Sequence, residues 1–345
     1  MKQVDRNYIY DFIRAFAIIS VVFCHSIESV YYIFQDRSIL YSGLSFESKM
    51  FDLLGITFGI LGVPLFLFLT GALLGRKNYD NKEDVKKFYK NKFLPLLITL
   101  EIWFLIWNIF IVFYFSWRGE IPNISLFTFF QNIFLLKTVD YILPAWYAPM
   151  ILGIYLFIPF ISNVLNKYEF KNIRIPLIVG IVYFFIMPTI NLVLNIYGLT
   201  IVSNVDLYFS GGIYGIYFVV GFYLSKGLLK KANSVVLYVT FLISFLCCVI
   251  FQYFLINKGV FYKIGYENIF LFVSCCSLFE IFTRLSIKGK FANLCTYLSK
   301  ISFPIFLVHN LIQYIIYQLN IFSSFIRPLN VICNFVLTMI ITVLI

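Results

Sequence analysis

Ten stretches of this 345-residue chain are long and apolar enough to cross a hydrocarbon core, and this limits the fold more than any motif does. They run over about 8–34, 50–75, 93–117, 144–165, 175–194, 209–225, 235–256, 267–283, 301–320 and 327–345. Backbone in lipid must satisfy its own N–H and C=O groups, so each run reads as a helix. The runs lack the alternation of a lipid-facing β-barrel strand. Composition agrees. With 61% hydrophobic and 12% charged residues, the chain has too little polar surface for a water-soluble enzyme and too little charge for a disordered one. The predicted fold is all-α: a polytopic membrane bundle of about ten transmembrane helices, forming one membrane-embedded domain over 1–345. No appended soluble domain and no internal repeat is expected. The first run is not a cleavable signal, because Asp11, Arg14 and His25 interrupt it and no small-residue cleavage site follows.

The cations give the orientation. Lys2, Arg6 and Arg14 lie at the N-terminus, and seven more fall between Arg76 and Lys92. The even-numbered loops that follow hold Lys167, Lys171 and Arg174, then Lys226, Lys230 and Lys231, then Arg284, Lys288, Lys290 and Lys300. The opposite side has Arg37, Lys49, Arg118, Lys137, Lys258, Lys263 and Arg327. Twenty against seven puts both termini in the cytoplasm, and a miscounted span would scramble that split. The net charge of +11 is thereby explained as topology signal and attraction to anionic headgroups, with no nucleic acid required. The connection over 118–143 contains a 13-residue apolar stretch, 124–136, too short to span and expected to be an interfacial or re-entrant helix. The seven cysteines contain no CxxC and read as small apolar filler. No metal site is expected, since two histidines and scattered carboxylates lack ligand spacing.

A charged side chain at mid-bilayer costs about 2.5–3.5 kcal/mol on insertion scales, so the few within the runs point to function. They are Asp11, Arg14, His25 and Glu28 in the first, Glu101 in the third, Glu280 in the eighth and His309 in the ninth. Arg14 and His25 are eleven residues apart, which on a helix is three turns plus about 20°, so they share a face about 16 Å apart. Arg binds phosphate through a planar charged fork, and His takes a proton from a hydroxyl near neutral pH. An extended coenzyme A thioester fits that separation, with phosphates near Arg14 and the acyl carbon near His25. Asp11 is placed to hold the guanidinium. The bland alternatives are a snorkelling Arg14 and a packing His25. Glu28 reads first as an outer-interface residue and second as a group that orients His25. Glu101 and Glu280 are candidate partners for Arg14 or for an acceptor hydroxyl. Pro64, with Gly59, Gly62 and Gly71 around it, suggests a kinked second helix with close neighbours.

These residues resemble a known family, the integral membrane acyltransferases called acyltransferase family 3. The Asp-x-x-Arg and Arg-x10-His patterns appear as Asp11, Arg14 and His25. GVPLFLFLTGALLG resembles the family's run ending in Ser-Gly, with Thr70-Gly71 in its place. PAWYAP, GFYLSK and LSKISFPIFLVHNLI resemble later segments, the last matching at Ser302 and His309. The resemblance implies transfer of an acyl group, most often acetyl from acetyl-CoA, to a sugar or glycan hydroxyl. It implies His25 as the catalytic residue and Arg14 as a donor-phosphate contact. Lys87, Lys90 and Lys92 stand where the family often has arginines; Lys90 and Lys92 are assigned to acyl-CoA binding, although Lys for Arg loses the fork. Asp11 and His309 are supporting residues, and Trp146 and Tyr147 are an aromatic surface for the acceptor sugar or an interfacial belt.

The expected function is membrane-bound O-acyl transfer, in the first instance O-acetylation, of a cell-surface glycan or its lipid-linked precursor in a bacterial cytoplasmic membrane. Acyl-CoA serves as donor substrate and no cofactor is bound permanently; an acyl-histidine relay is a variant route. A transporter or flippase for a lipid-linked saccharide is the alternative, since intramembrane charges also mark transport paths. A glycan polymerase or a noncatalytic scaffold are further readings. The topology is checked by fusions: a fluorescent protein at the C-terminus should fluoresce, and alkaline phosphatase should be inactive after Lys167 and active after Lys258. The opposite pattern would invert the orientation.

Overall fold

The computed structural model describes residues 7–31, 41, 43–117, 119, 130, 146–197, 212–260 and 263–345. The helix expected over 124–136 lies outside them apart from Phe130, as do Lys2, Arg6, Arg37, Arg118 and Lys137. The described residues form ten helical segments in the order of the ten apolar runs. They are α1 (Tyr8–Tyr31), α2 (Phe46–Leu74), α3 (Lys82–Trp117), α4 (Tyr147–Lys167), α5 (Phe170–Asn195), α6 (Gly212–Ser225), α7 (Ser234–Asn257), α8 (Ile269–Thr283), α9 (Gly289–Gln318) and α10 (Arg327–Leu344). Eight are long and apolar enough to cross a membrane; α6 and α8 are shorter.

Helix ends differ from the apolar limits where polar residues continue a helix past the hydrocarbon edge. Thus α3 starts at Lys82 rather than 93 and α9 at Gly289 rather than 301. Hydropathy marks the lipid boundary, whereas the helix stops at a cap. Asn81, Asn233 and Asn268 each accept a backbone N–H from the first turn that follows. The break in α2 falls at Leu61, three residues before Pro64, whose ring cannot donate to the preceding turn. Both α3 and α5 contain a π-helical turn, Tyr89–Phe93 and Val182–Ile186.

The chain divides into two compact units. The first comprises Met1–Arg76 and Tyr168–Ile345. Within it, side-chain pairings give the helix directions. Gly55 lies against Ile27, Gly59 against Cys24 and Gly62 against Ala17, so α2 runs antiparallel to α1. Phe68 meets Tyr217, and Arg76 donates to the Ser225 carbonyl, so α6 runs parallel to α2. Ser244 bonds Ser274 and Arg284 bonds Ser234, which makes α7 and α8 antiparallel. Phe185 with Phe272, and Thr189 with the Ile269 amide, do the same for α5 and α8. These directions have the parity that successive crossings require, short α6 and α8 included.

The α2–α6 crossing rests on two glycines that the sequence had marked in separate motifs. A Cβ on Gly71 would strike the Phe218 carbonyl, and one on Gly221 would strike the Phe68 backbone. Between membrane helices, association comes from such close backbone packing, because lipid is as apolar as leucine.

The second unit, Lys77–Lys167, joins α3 to α4. The Asn163 amide both accepts from the Tyr79 N–H at 2.8 Å and donates to the Tyr79 carbonyl at 2.7 Å. Tyr89 donates to the Leu156 carbonyl at 2.8 Å. Phe88 sits among Tyr79, Tyr89 and Tyr155.

Gly221→Ala should lower the thermal midpoint in detergent, since overpacking costs about 1–3 kcal/mol. Gly153→Ala, whose Cβ would meet nothing within 4 Å, should not. Equal midpoints for the two variants would remove the α2–α6 argument.

Candidate active site

The polar residues of α1 recur at helical spacing, Asp11, Arg14, His25 and Ser29 among them, with Ile18 and Val22 between. A stripe on α9 answers it: Thr296, Ser299, Ser302, Ile305, His309 and Gln313. Thr296 and Ser299 donate to the Asp11 carboxylate at 3.2 and 2.7 Å, and Arg14 reaches Ser299 at 3.4 Å. Deeper in, Gln313 donates to the Ser26 hydroxyl at 2.7 Å and to the Val22 carbonyl at 3.1 Å. The partners are 285 to 291 residues apart at each of these bonds, so α1 and α9 run parallel and in register. Ile18, Val22 and Ile305 fill the seam between the polar levels.

His25 lies on this seam with its ring centroid 5.2 Å from that of His309, the planes tilted by 39°. His25 Nδ1 is 2.6 Å from Glu28 Oε2. A carboxylate only accepts, so Nδ1 carries the proton and Nε2 presents a lone pair. Among the described residues Nε2 has no hydrogen-bond partner, and the side chain keeps 14% exposure. The other Glu28 oxygen pairs with Lys263, which enters from the loop before α8. His309 differs: Asn310 donates to its Nε2 at 3.0 Å, so Nδ1 holds the proton and faces the Ile305 carbonyl, also at 3.0 Å. Both of its nitrogens are occupied and the residue is fully buried.

The structure thus brings Asp11, Arg14, His25 and His309 together along one helix pair. Lys90 and Lys92 lie in the π-helical turn of α3, exposed, and Trp146 and Tyr147 open α4 as an edge-to-face pair 5.9 Å apart. These four belong to the second unit. Glu280 pairs with Arg284, one turn on, at 3.0 Å rather than with Arg14. Glu101 is partly exposed on α3. Glu28 is buried on His25 instead of sitting at an outer interface, as its spacing of three residues had allowed. Lys263 and Asn310 were missed. Lys263 lies 235 residues from Glu28 and sequence offered no signal for it. The seven cysteines are free, and among the described residues no group of three metal-ligating side chains occurs.

Chemically, the seam offers a cation at one level and, about 16 Å along the same helix, an imidazole whose outer nitrogen is open and whose inner one is fixed by a carboxylate. A carboxylate on one imidazole nitrogen with the other left open is an arrangement that can orient a general base. A family profile described as an acyltransferase domain matches residues 7–345. No curated protein and no solved structure matches the chain.

The two imidazoles should differ in reactivity. Diethyl pyrocarbonate should modify His25 well ahead of His309, read by peptide mass, because only His25 has an open nitrogen. Equal rates would contradict the hydrogen-bond assignment.

Proposed function

The chain belongs to the acyltransferase 3 family of multi-pass membrane acyltransferases, and from that premise we propose that it is an O-acetyltransferase of a bacterial cytoplasmic membrane, moving acetyl from acetyl-CoA to a hydroxyl of a cell-surface glycan or its lipid-linked precursor. The observation that carries this reading is the His25–Glu28 pair, with Nε2 open, on the face of α1 that also bears Arg14.

In this reading both termini are cytoplasmic and the donor enters at the Arg14 level. The guanidinium, held through Ser299 and Asp11, takes a phosphate of coenzyme A. The thioester then reaches the level of His25. His25 Nε2 removes the proton from the acceptor hydroxyl, and the oxygen attacks the thioester carbonyl carbon. Collapse of the tetrahedral intermediate breaks the C–S bond, and the thiolate leaves with the proton from the imidazolium. An ester and free coenzyme A result. Glu28 fixes the tautomer and offsets the transient positive charge. His309, with both nitrogens engaged, is a neutral wall against the reacting imidazole rather than a second proton carrier. Lys90 and Lys92 as donor contacts, and Trp146 and Tyr147 as a sugar-stacking surface, are supported by the resemblance and by residue chemistry.

Vesicles containing the full chain and native glycan acceptors, given radiolabelled acetyl-CoA, should transfer label to glycan. His25→Ala should reduce transfer by about 10²-fold or more, the usual contribution of a general base. Arg14→Ala should raise the KM for acetyl-CoA with little change in kcat. Undiminished transfer by His25→Ala would remove the base.

A further inference from the structure

The connection from α7 to α8 begins exposed at Lys258 and Gly259, but its described residues nearest α8 pack inward. Ile264 is 1% exposed and Asn268 is fully buried. Two helices, α7 and α6, bond the connection directly, and α2 and α5 steady the groups on either side of it. Gln252 on α7 accepts from the Ile264 N–H at 3.2 Å, and its amide is fixed by Thr57 on α2 at 2.9 Å. Tyr217 on α6 donates to the Tyr266 carbonyl at 3.0 Å, and Thr189 on α5 accepts from the Ile269 N–H at the same distance. Lys263, next to the pinned Ile264, is thereby aimed at Glu28. Its ammonium reaches Oε1 while His25 occupies Oε2.

A lone carboxylate on a buried helix face is costly, and it stays charged and in place only when paired. Without the ammonium, Glu28 either turns away or takes up a proton. In the first case Nδ1 loses its acceptor. In the second, Glu28 becomes a donor to Nδ1, the ring proton moves to Nε2, and the lone pair that abstracts the acceptor proton is gone. We propose that Lys263 is a positioning residue for acyl transfer: it holds Glu28 as the acceptor for His25 Nδ1 and so keeps His25 Nε2 open. The inference rests on the reading of His25 as the base. It assigns Lys263 no contact with donor or acceptor.

The chain has two histidines, so ¹⁵N-histidine labelling of the full-length protein in nanodiscs gives only four ring nitrogens. In the wild type, His25 should show a protonated Nδ1 and a bare Nε2. Lys263→Met should shift the proton toward Nε2, lower kcat for label transfer from acetyl-CoA at least tenfold, and leave its KM within about twofold, as for loss of a base's orientation. Lys263→Arg should restore both tautomer and kcat. In a Glu28→Gln background, Lys263→Met should add no further loss, because the pair acts as a unit; this double variant also removes the uncompensated charge should Lys263→Met alone fail to assemble. A wild-type tautomer in Lys263→Met, a raised KM in place of a lowered kcat, or full additivity with Glu28→Gln would overturn the assignment of Lys263. Persistent transfer by His25→Ala would instead overturn the base itself, whatever Lys263 does.

Discussion

Everything about this protein turns on polar groups that hydrocarbon cannot solvate and that must find each other. The α1–α9 seam is where they do. Two parallel helices present polar stripes in register, and each level closes on the other: Asp11 with Thr296 and Ser299, Ser26 with Gln313, and His25 beside His309. A single interhelical hydrogen bond between membrane helices contributes only about 0.6 kcal/mol on average, up to about 1.7. The seam is therefore less a source of stability than a means of fixing register. A slip of one residue would turn the polar stripe of one helix toward the aliphatic residues of the other and leave several groups unpaired at once.

That registry has a chemical consequence. Arg14 and His25 are separated by a rigid length of helix, so their spacing is set by backbone geometry rather than by a mobile loop. The close packing of α2 against α1, through Gly55, Gly59 and Gly62, holds a neighbouring side of the same helix. His25 is thus mounted on an element packed from several sides, which would suit the base proposed above, since such a group must hold one tautomer and one orientation.

Much of the fold was legible in the residue order. The ten apolar runs return as ten helices because internal hydrogen bonding is the only course open to backbone in lipid. The shared face of Arg14 and His25 was legible for the same reason, since angular position on a helix follows from counting. Gly71 and Gly221 were visible as motif residues, but that they pack at one crossing was not, for nothing local says which helices meet. Glu28 illustrates the limit from the other side. Its three-residue spacing from His25 was plain, yet an outer-interface position fits that spacing equally well, and only burial decides between the two.

The sequence alone therefore determined what depends on short-range geometry and on solvent: helix count, span order and the polar stripe of α1. Tertiary structure decided what depends on meetings across hundreds of residues. It made α9 the partner of α1, left His25 Nε2 open while closing both nitrogens of His309, and brought Lys263 to Glu28 from a loop bonded to α6 and α7. The physical reason is that a side chain's chemical state is set by its neighbours, and in a helical bundle the decisive neighbours arrive from other helices.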